Sequence, residues 1–122
     1  MGRKRSLNFI VKNEIYPFDV MFSFGESDIN LKKRFKKFGV SEGSLFEHSL
    51  KLGQCTQFKN GQVLVRMPNI PKTPKDYNTL QHEIFHATTN IMNHIGSKLD
   101  EESEEPWAYF IGFLTQKVYE KL

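Results

Sequence analysis

The sequence predicts a single α+β domain, on three observations. Stretches rich in β-branched and aromatic residues fill the first half, an Asn-Gly turn joins two strand-like segments near the middle, and two long stretches of helical periodicity follow. No repeat, low-complexity tract or linker-like composition interrupts residues 1–122, so the chain reads as one domain. At this length it can bury a real core, and eleven Phe and four Tyr supply it.

Leu7–Val11 and Phe18–Phe24 are the first two strands, broken near Pro17, which cannot donate to a ladder. Gly25-Glu26-Ser27-Asp28 forms a turn ending in an N-cap, and a short amphipathic helix runs over Ile29–Phe38. A second short helix is expected over Ser44–Lys51. Cys55–Phe58 and Val63–Met67 flank Lys59-Asn60-Gly61-Gln62, a hairpin in which Asn-Gly supplies a type I′ turn. Pro68, Pro71 and Pro74 argue against regular structure until Asp76, the expected N-cap of a helix from Tyr77 to Ile95. Gly96 stands where the left-handed residue after a helix belongs. Pro106 belongs in the first turn of a last helix, about Pro106–Lys121.

Composition narrows the function classes. The lone cysteine, Cys55, allows no intramolecular disulfide and points to a reducing compartment. It reads as a buried structural thiol, with no His or Cys at ligand spacing. No apolar run reaches the roughly 18 residues of a membrane span. Met1-Gly2-Arg3-Lys4-Arg5 leads into no apolar segment with a cleavage site, so a signal peptide is not expected and a cytoplasmic protein is. Net charge is +3, unevenly spread: Lys32-Lys33-Arg34-Phe35-Lys36-Lys37 is basic, and five acids lie within Asp100–Glu105. The basic cluster is the solvated face of a helix whose apolar positions are Leu31, Phe35 and Phe38. No recognition motif supports a nucleic-acid partner.

The chemistry concentrates in His82-Glu83-Ile84-Phe85-His86. Histidines at i and i+4 lie about 40° apart around a helix and one turn apart along it, so both imidazoles can reach one metal at about 2.0–2.1 Å. Glu83 projects from the same side, where it can act as general base toward a water activated by zinc. On a helical wheel with His82 at zero, Tyr77, Leu80, Ile84, Ala87, Ile91 and Ile95 cluster near about 190°. A core histidine satisfied by packing would sit inside that stripe, and these two lie opposite it.

A catalytic zinc needs a third protein ligand and an open fourth position. His94, two turns on, is about 12 Å from His86; His48 is isolated. The acidic stretch is the better source. Glu105 shares a polar face of the last helix with Tyr109, Gly112 and Gln116, while Trp107, Phe110, Ile111, Leu114 and Val118 face a core. Gly112 would let this helix approach the histidine helix closely. Glu104, Glu101, Glu102 and Asp100 are the other carboxylates available, and all five also suit a solvated helix start favoured by the dipole.

Leu80-Gln81-His82-Glu83-Ile84-Phe85-His86-Ala87 followed by Glu104-Glu105-Pro106-Trp107-Ala108-Tyr109-Phe110-Ile111-Gly112 resembles the short zincin-like metallopeptidases of phages and prophages. More distantly it is similar to the repressor-cleaving metallopeptidases of mobile elements. The likeness spans about residues 54–121. It implies a minimal zincin-like α+β fold, a small twisted sheet packed on the histidine helix, with a C-terminal helix supplying the third ligand. It implies His82, His86 and Glu105 as Zn²⁺ ligands in a gluzincin arrangement, Glu83 as base, and a peptide or protein substrate. The edge strand of such peptidases receives substrate in extended form, and Val63–Met67 is the candidate. Tyr109, ahead of His94, is the candidate for stabilising the oxyanion or for supporting a ligand. The alternative is a non-catalytic module of the same fold, acting on a host or phage protein by occupancy alone.

Overall fold

The computed structural model describes residues 6–38 and 52–122. Its elements in chain order are β1 (Leu7–Val11), β2 (Val20–Phe24), α1 (Asp28–Phe38), β3 (Gln54–Gln57), β4 (Val63–Met67), α2 (Pro74–His94) and α3 (Glu104–Tyr119). The expected Ser44–Lys51 helix, His48 and the side chain of Phe38 lie outside the described residues. Among the described residues, no helix is long and apolar enough to cross a membrane.

The α+β class is as the sequence predicts. Four strands form one mixed sheet in the order β1-β2-β4-β3. β1 pairs antiparallel with β2, β2 parallel with β4, and β3 antiparallel with β4. Alternation of side chains across the pleat divides the apolar residues between two cores. Val20, Phe22 and Phe24 of β2 and Val63, Val65 and Met67 of β4 face α2 and α3, packing with Leu80, Ile84, Ile91, Trp107, Phe110 and Leu114. Met21 and Leu64 point to the other face and are covered by Leu31, Phe35 and Phe58. Leu31 and Phe35 are thus the buried face of α1, and Lys32, Lys33 and Lys36 lie on its exposed side. Each of these fully buried side chains contributes about 1.5–3 kcal/mol relative to exposure.

β4 is a central strand, which corrects the expectation that Val63–Met67 forms the edge. All five of its residues are buried, whereas Gln54–Gln57 is half-buried throughout and takes the edge. The continuous apolar character of Val63-Leu64-Val65 suits a strand covered on both faces. The hairpin turn also differs from expectation. A type I′ turn needs positive φ at both central residues; of the two, only Gly61 has it, at 92°. Gly61 N–H donates to Phe58 O at 2.9 Å and Phe58 N–H to Gln62 O at 2.8 Å, closing a three-residue loop.

Helix starts lie slightly upstream of those expected. Ser27 caps α1, its Oγ accepting from Asn30 N–H at 3.1 Å. Asp28, inside the first turn, pairs with the buried Arg66 at 2.8 Å. The Glu26 carboxylate, wholly buried, accepts from Ser23 Oγ at 2.7 Å and Arg34 at 2.7 Å, fastening α1 to the end of β2. α2 begins at Pro74 because proline is tolerated at the first helical position. Thr73 is its N-cap, and Asp76 is the reciprocal partner of a capping box. Gly96, with φ 86°, ends the helix as predicted; Ser97 N–H reaches Met92 O and Gly96 N–H reaches Asn93 O. Ser103 precedes α3, which places Pro106 at the third helical position, still within the first turn.

Candidate metal centre and its surroundings

The buried stripe of α2 decides where its polar residues go. Leu80, Ile84, Ala87 and Ile91 lie against the sheet, so His82 and His86 are turned to solvent. Their rings meet edge to face, and the two Nε2 atoms converge to 3.1 Å. A metal at about 2.05 Å from both nitrogens would subtend an N–metal–N angle of about 98°, slightly tighter than tetrahedral. The pair therefore suits two of the imidazole positions around zinc.

Glu83 takes the neighbouring side of the helix and is 7% exposed. Its carboxylate lies beneath the start of β3. A methyl group at Gly53 would sit 2.9 Å from Glu83 Oε2, 3.1 Å from Glu83 Cγ and 3.0 Å from Thr79 Cγ2. The slot exists because Gly53 has no side chain. Further along, Asn90 Nδ2 approaches Cys55 Sγ at 3.6 Å, and Gln57 Nε2 donates to Asn90 O at 3.1 Å. Burial, then the charge of Glu83, pushes the Cys55 thiol up to about 12, against a smaller opposing contribution from Asn90. Gly53, Cys55 and Gln57 thus form a seam between the edge strand and α2, with Glu83 inside it.

α3 runs antiparallel to α2. Tyr77 packs at a tilt against Tyr119 with centroids 5.7 Å apart, Gln81 Nε2 donates to Thr115 Oγ1 at 3.1 Å, and Trp107 Nε1 donates to Ser97 Oγ at 3.0 Å. On this register His86 stands level with Phe110 or Ile111. Glu105 lies five or six residues nearer the start of α3, about 8–9 Å along the axis. Among the described residues, no third His, Cys, Asp or Glu joins the histidine pair within metal-binding reach. Glu105 and Tyr109 instead border an open groove with Ile15. Glu104, Glu101, Glu102 and Asp100 are likewise exposed at the start of α3. Gly112 is not a point of close approach to α2: a methyl group there would meet nothing within 4 Å. His94 packs edge-on against Phe18 with centroids 4.6 Å apart.

The structure therefore brings together His82 and His86, sets Glu83 beside them under the edge strand, and leaves Glu105 and Tyr109 on another face. Gly53 lies over Glu83 and Thr79, and neither Gly53 nor Thr79 was singled out by the sequence. A glycine directly before a strand was the available signal, but its meaning depends on which strand lies over α2. No protein-family model, curated protein or solved structure matches this chain.

Proposed function

We propose that the chain is a small zincin-like metallopeptidase, with His82 and His86 holding a zinc ion and Glu83 moving the proton during hydrolysis of a peptide bond. The observation that carries this reading is the convergence of two Nε2 atoms to 3.1 Å beside a buried carboxylate that faces an edge strand. Zinc, when bound, supplies Lewis acidity that lowers the pKa of water and polarises a carbonyl. The remaining work falls to the chain. The outer edge of β3 offers main-chain groups to an extended peptide, as in strand addition. Glu83, held in the Gly53 slot, takes the proton from the attacking water and returns it to the leaving amine. Glu105 enters as third ligand if the first turn of α3 shifts toward the pair, and Tyr109 as an oxyanion donor only with the same movement.

Zinc per chain, measured on purified wild type, His82→Ala, Glu105→Ala and Glu83→Gln, tests this directly. Near one zinc in wild type, loss in His82→Ala, and retained zinc without hydrolysis in Glu83→Gln are expected. Zinc retained in Glu105→Ala would remove Glu105 from the ligand set. Absence of zinc in wild type after supplementation would overturn the metal reading.

A second reading, a zincin-like binding module without catalysis, is favoured by the separation of Glu105 and Tyr109 from the histidines. Under it, partner binding is unchanged in Glu83→Gln and no peptide is cleaved.

A further inference from the structure

The face of α3 that carries Glu105 and Tyr109 forms one wall of an open groove of about 640 Å³, whose opposite wall is Ile15. Asn13 builds that far wall: its carboxamide oxygen accepts from the backbone N–H groups of Ile15 and Tyr16 at 2.9 and 2.8 Å, presenting Ile15 outward. Tyr109 is 73% exposed and Ile15 52% exposed, an apolar investment at the surface. Phe113 adds a second aromatic wall, stacked on the buried Phe110 at 6.3 Å and so held in place from behind. At the centre, Gly112 leaves the helix backbone uncovered, since a methyl group there would meet nothing within 4 Å.

The charge at one end of this groove opposes that of the whole molecule. The chain carries a net +3, yet Asp100 to Glu105 holds five acids in six residues. Glu105 itself lines the groove. The positive end of the α3 dipole, roughly half a charge, offsets only a fraction of these carboxylates. Lys117 Nζ already lies 5.9 Å from the Phe113 ring centroid, so the ring open to a partner's cation is that of Tyr109. Beside the Glu105 carboxylate it suits a lysine or arginine side chain, which gains from the ring face and from a charge-assisted hydrogen bond. A groove along a helix with a small residue at its centre suits an apolar anchor on the same partner segment.

We propose that this groove is a docking surface for a basic, amphipathic segment of a protein partner, with an apolar side chain lying over Gly112 and a cation between Tyr109 and Glu105. None of His82, His86 and Glu83 lines the groove, and the proposal applies to the arrangement in which Glu105 and Tyr109 face it; movement of α3 that carried Glu105 to a zinc ion would compete with docking.

The test uses the full chain and a short fluorescein-labelled peptide of lysine and leucine, with a glutamate–leucine peptide of equal length as control. Anisotropy should report binding of the lysine–leucine probe alone, weakening as salt rises. Gly112→Leu, whose Cβ meets nothing within 4 Å, should cover the exposed backbone and weaken binding about tenfold, the equivalent of 1.4 kcal/mol, while its melting temperature does not fall. Glu101→Lys with Glu102→Lys should weaken binding and flatten the salt dependence. No binding of the lysine–leucine probe, equal binding of both probes, or binding indifferent to Gly112→Leu would each overturn the proposal. Concentration-dependent self-association abolished by Gly112→Leu would also overturn it, by making a second copy of the chain the occupant.

Discussion

Placing a methyl group at Gly53 would push on Glu83 without touching the histidines. Positive φ among the described glycines occurs only at Gly25, Gly61 and Gly96, so alanine at Gly53 meets no left-handed backbone. Its effect on the unfolded chain alone would stabilise by about 0.4–1 kcal/mol. Against this stand three contacts of 2.9–3.1 Å, with Glu83 Oε2, Thr79 Cγ2 and Glu83 Cγ. Overpacking of this kind costs about 1–3 kcal/mol. The steric cost wins, for a net loss on the order of 1 kcal/mol, and the carboxylate, at the end of a flexible side chain, yields more readily than the β-branched Thr79. Denaturant unfolding of Gly53→Ala, Glu83→Ala and the double variant measures the coupling. The cost of Gly53→Ala should shrink by about half or more once Glu83 is truncated, with Thr79 accounting for the remainder. On the proposed function, Gly53→Ala also lowers hydrolysis while zinc affinity is unchanged. Equal cost in both backgrounds would refute the claim that the slot holds Glu83.

Three further predictions concern the frame around the site. Because the Cys55 thiol is pushed up to about 12, it stays protonated when folded while the unfolded thiol ionises above its ordinary 9.0. The folded state therefore holds the extra proton, and stability falls as pH rises from 9 toward 12, by up to roughly 1.4 kcal/mol per pH unit, which alkaline melting compared with Cys55→Ala should reveal. Thiol labelling at pH 8 should accordingly be much slower in the folded protein than after unfolding. Thr73→Ala removes the side-chain half of the capping box on α2 and should cost about 1 kcal/mol by denaturant titration; an unchanged midpoint would mean the cap is unimportant. Gly61→Ala combines a φ of 92° with a methyl 2.3 Å from the Phe18 ring, and should cost roughly 2 kcal/mol or more, with wild-type stability the contrary result.

Local patterns in the sequence carried much of this fold. The β-branched and aromatic content of Leu7–Val11 and the apolar run of Val63–Met67 beside an Asn-Gly turn mark strands at those boundaries, and the apolar stripe through Leu80, Ile84, Ala87 and Ile91 places the histidines on the opposite side of α2. Non-local pairing was less legible. Nothing in Val20–Phe24 announces a parallel partner forty residues away, so whether β4 is central or at the edge could not be read from β4 and its hairpin alone. The start of α2 depended on recognising Thr73-Pro74-Lys75-Asp76 as a capping box in which proline begins the helix. Of the candidate site, the two histidines and Glu83 were legible because they share one helix. Glu105 was not, because its distance from them depends on the α2–α3 register, set by Tyr77–Tyr119, Gln81–Thr115 and Ser97–Trp107 contacts.

The parallel pairing of β2 with β4 has a consequence for how the molecule is assembled and how it opens. β1–β2 and β3–β4 are each antiparallel and can form from neighbouring chain, whereas the strands between them meet only after a long loop closes; Asp19 N–H and Gln62 Oε1, 43 residues apart, bond across that junction at 2.6 Å. Closing such a loop precedes the contacts that reward it, which predicts that the junction forms after the two antiparallel pairs. The same junction divides the sheet into halves, and the half bearing β3 carries the strand that covers Glu83. β2 and β4 are buried on both faces by side chains of all three helices, so amide protons along this one line should exchange together and only on global opening, behind those on the outer edges of β1 and β3.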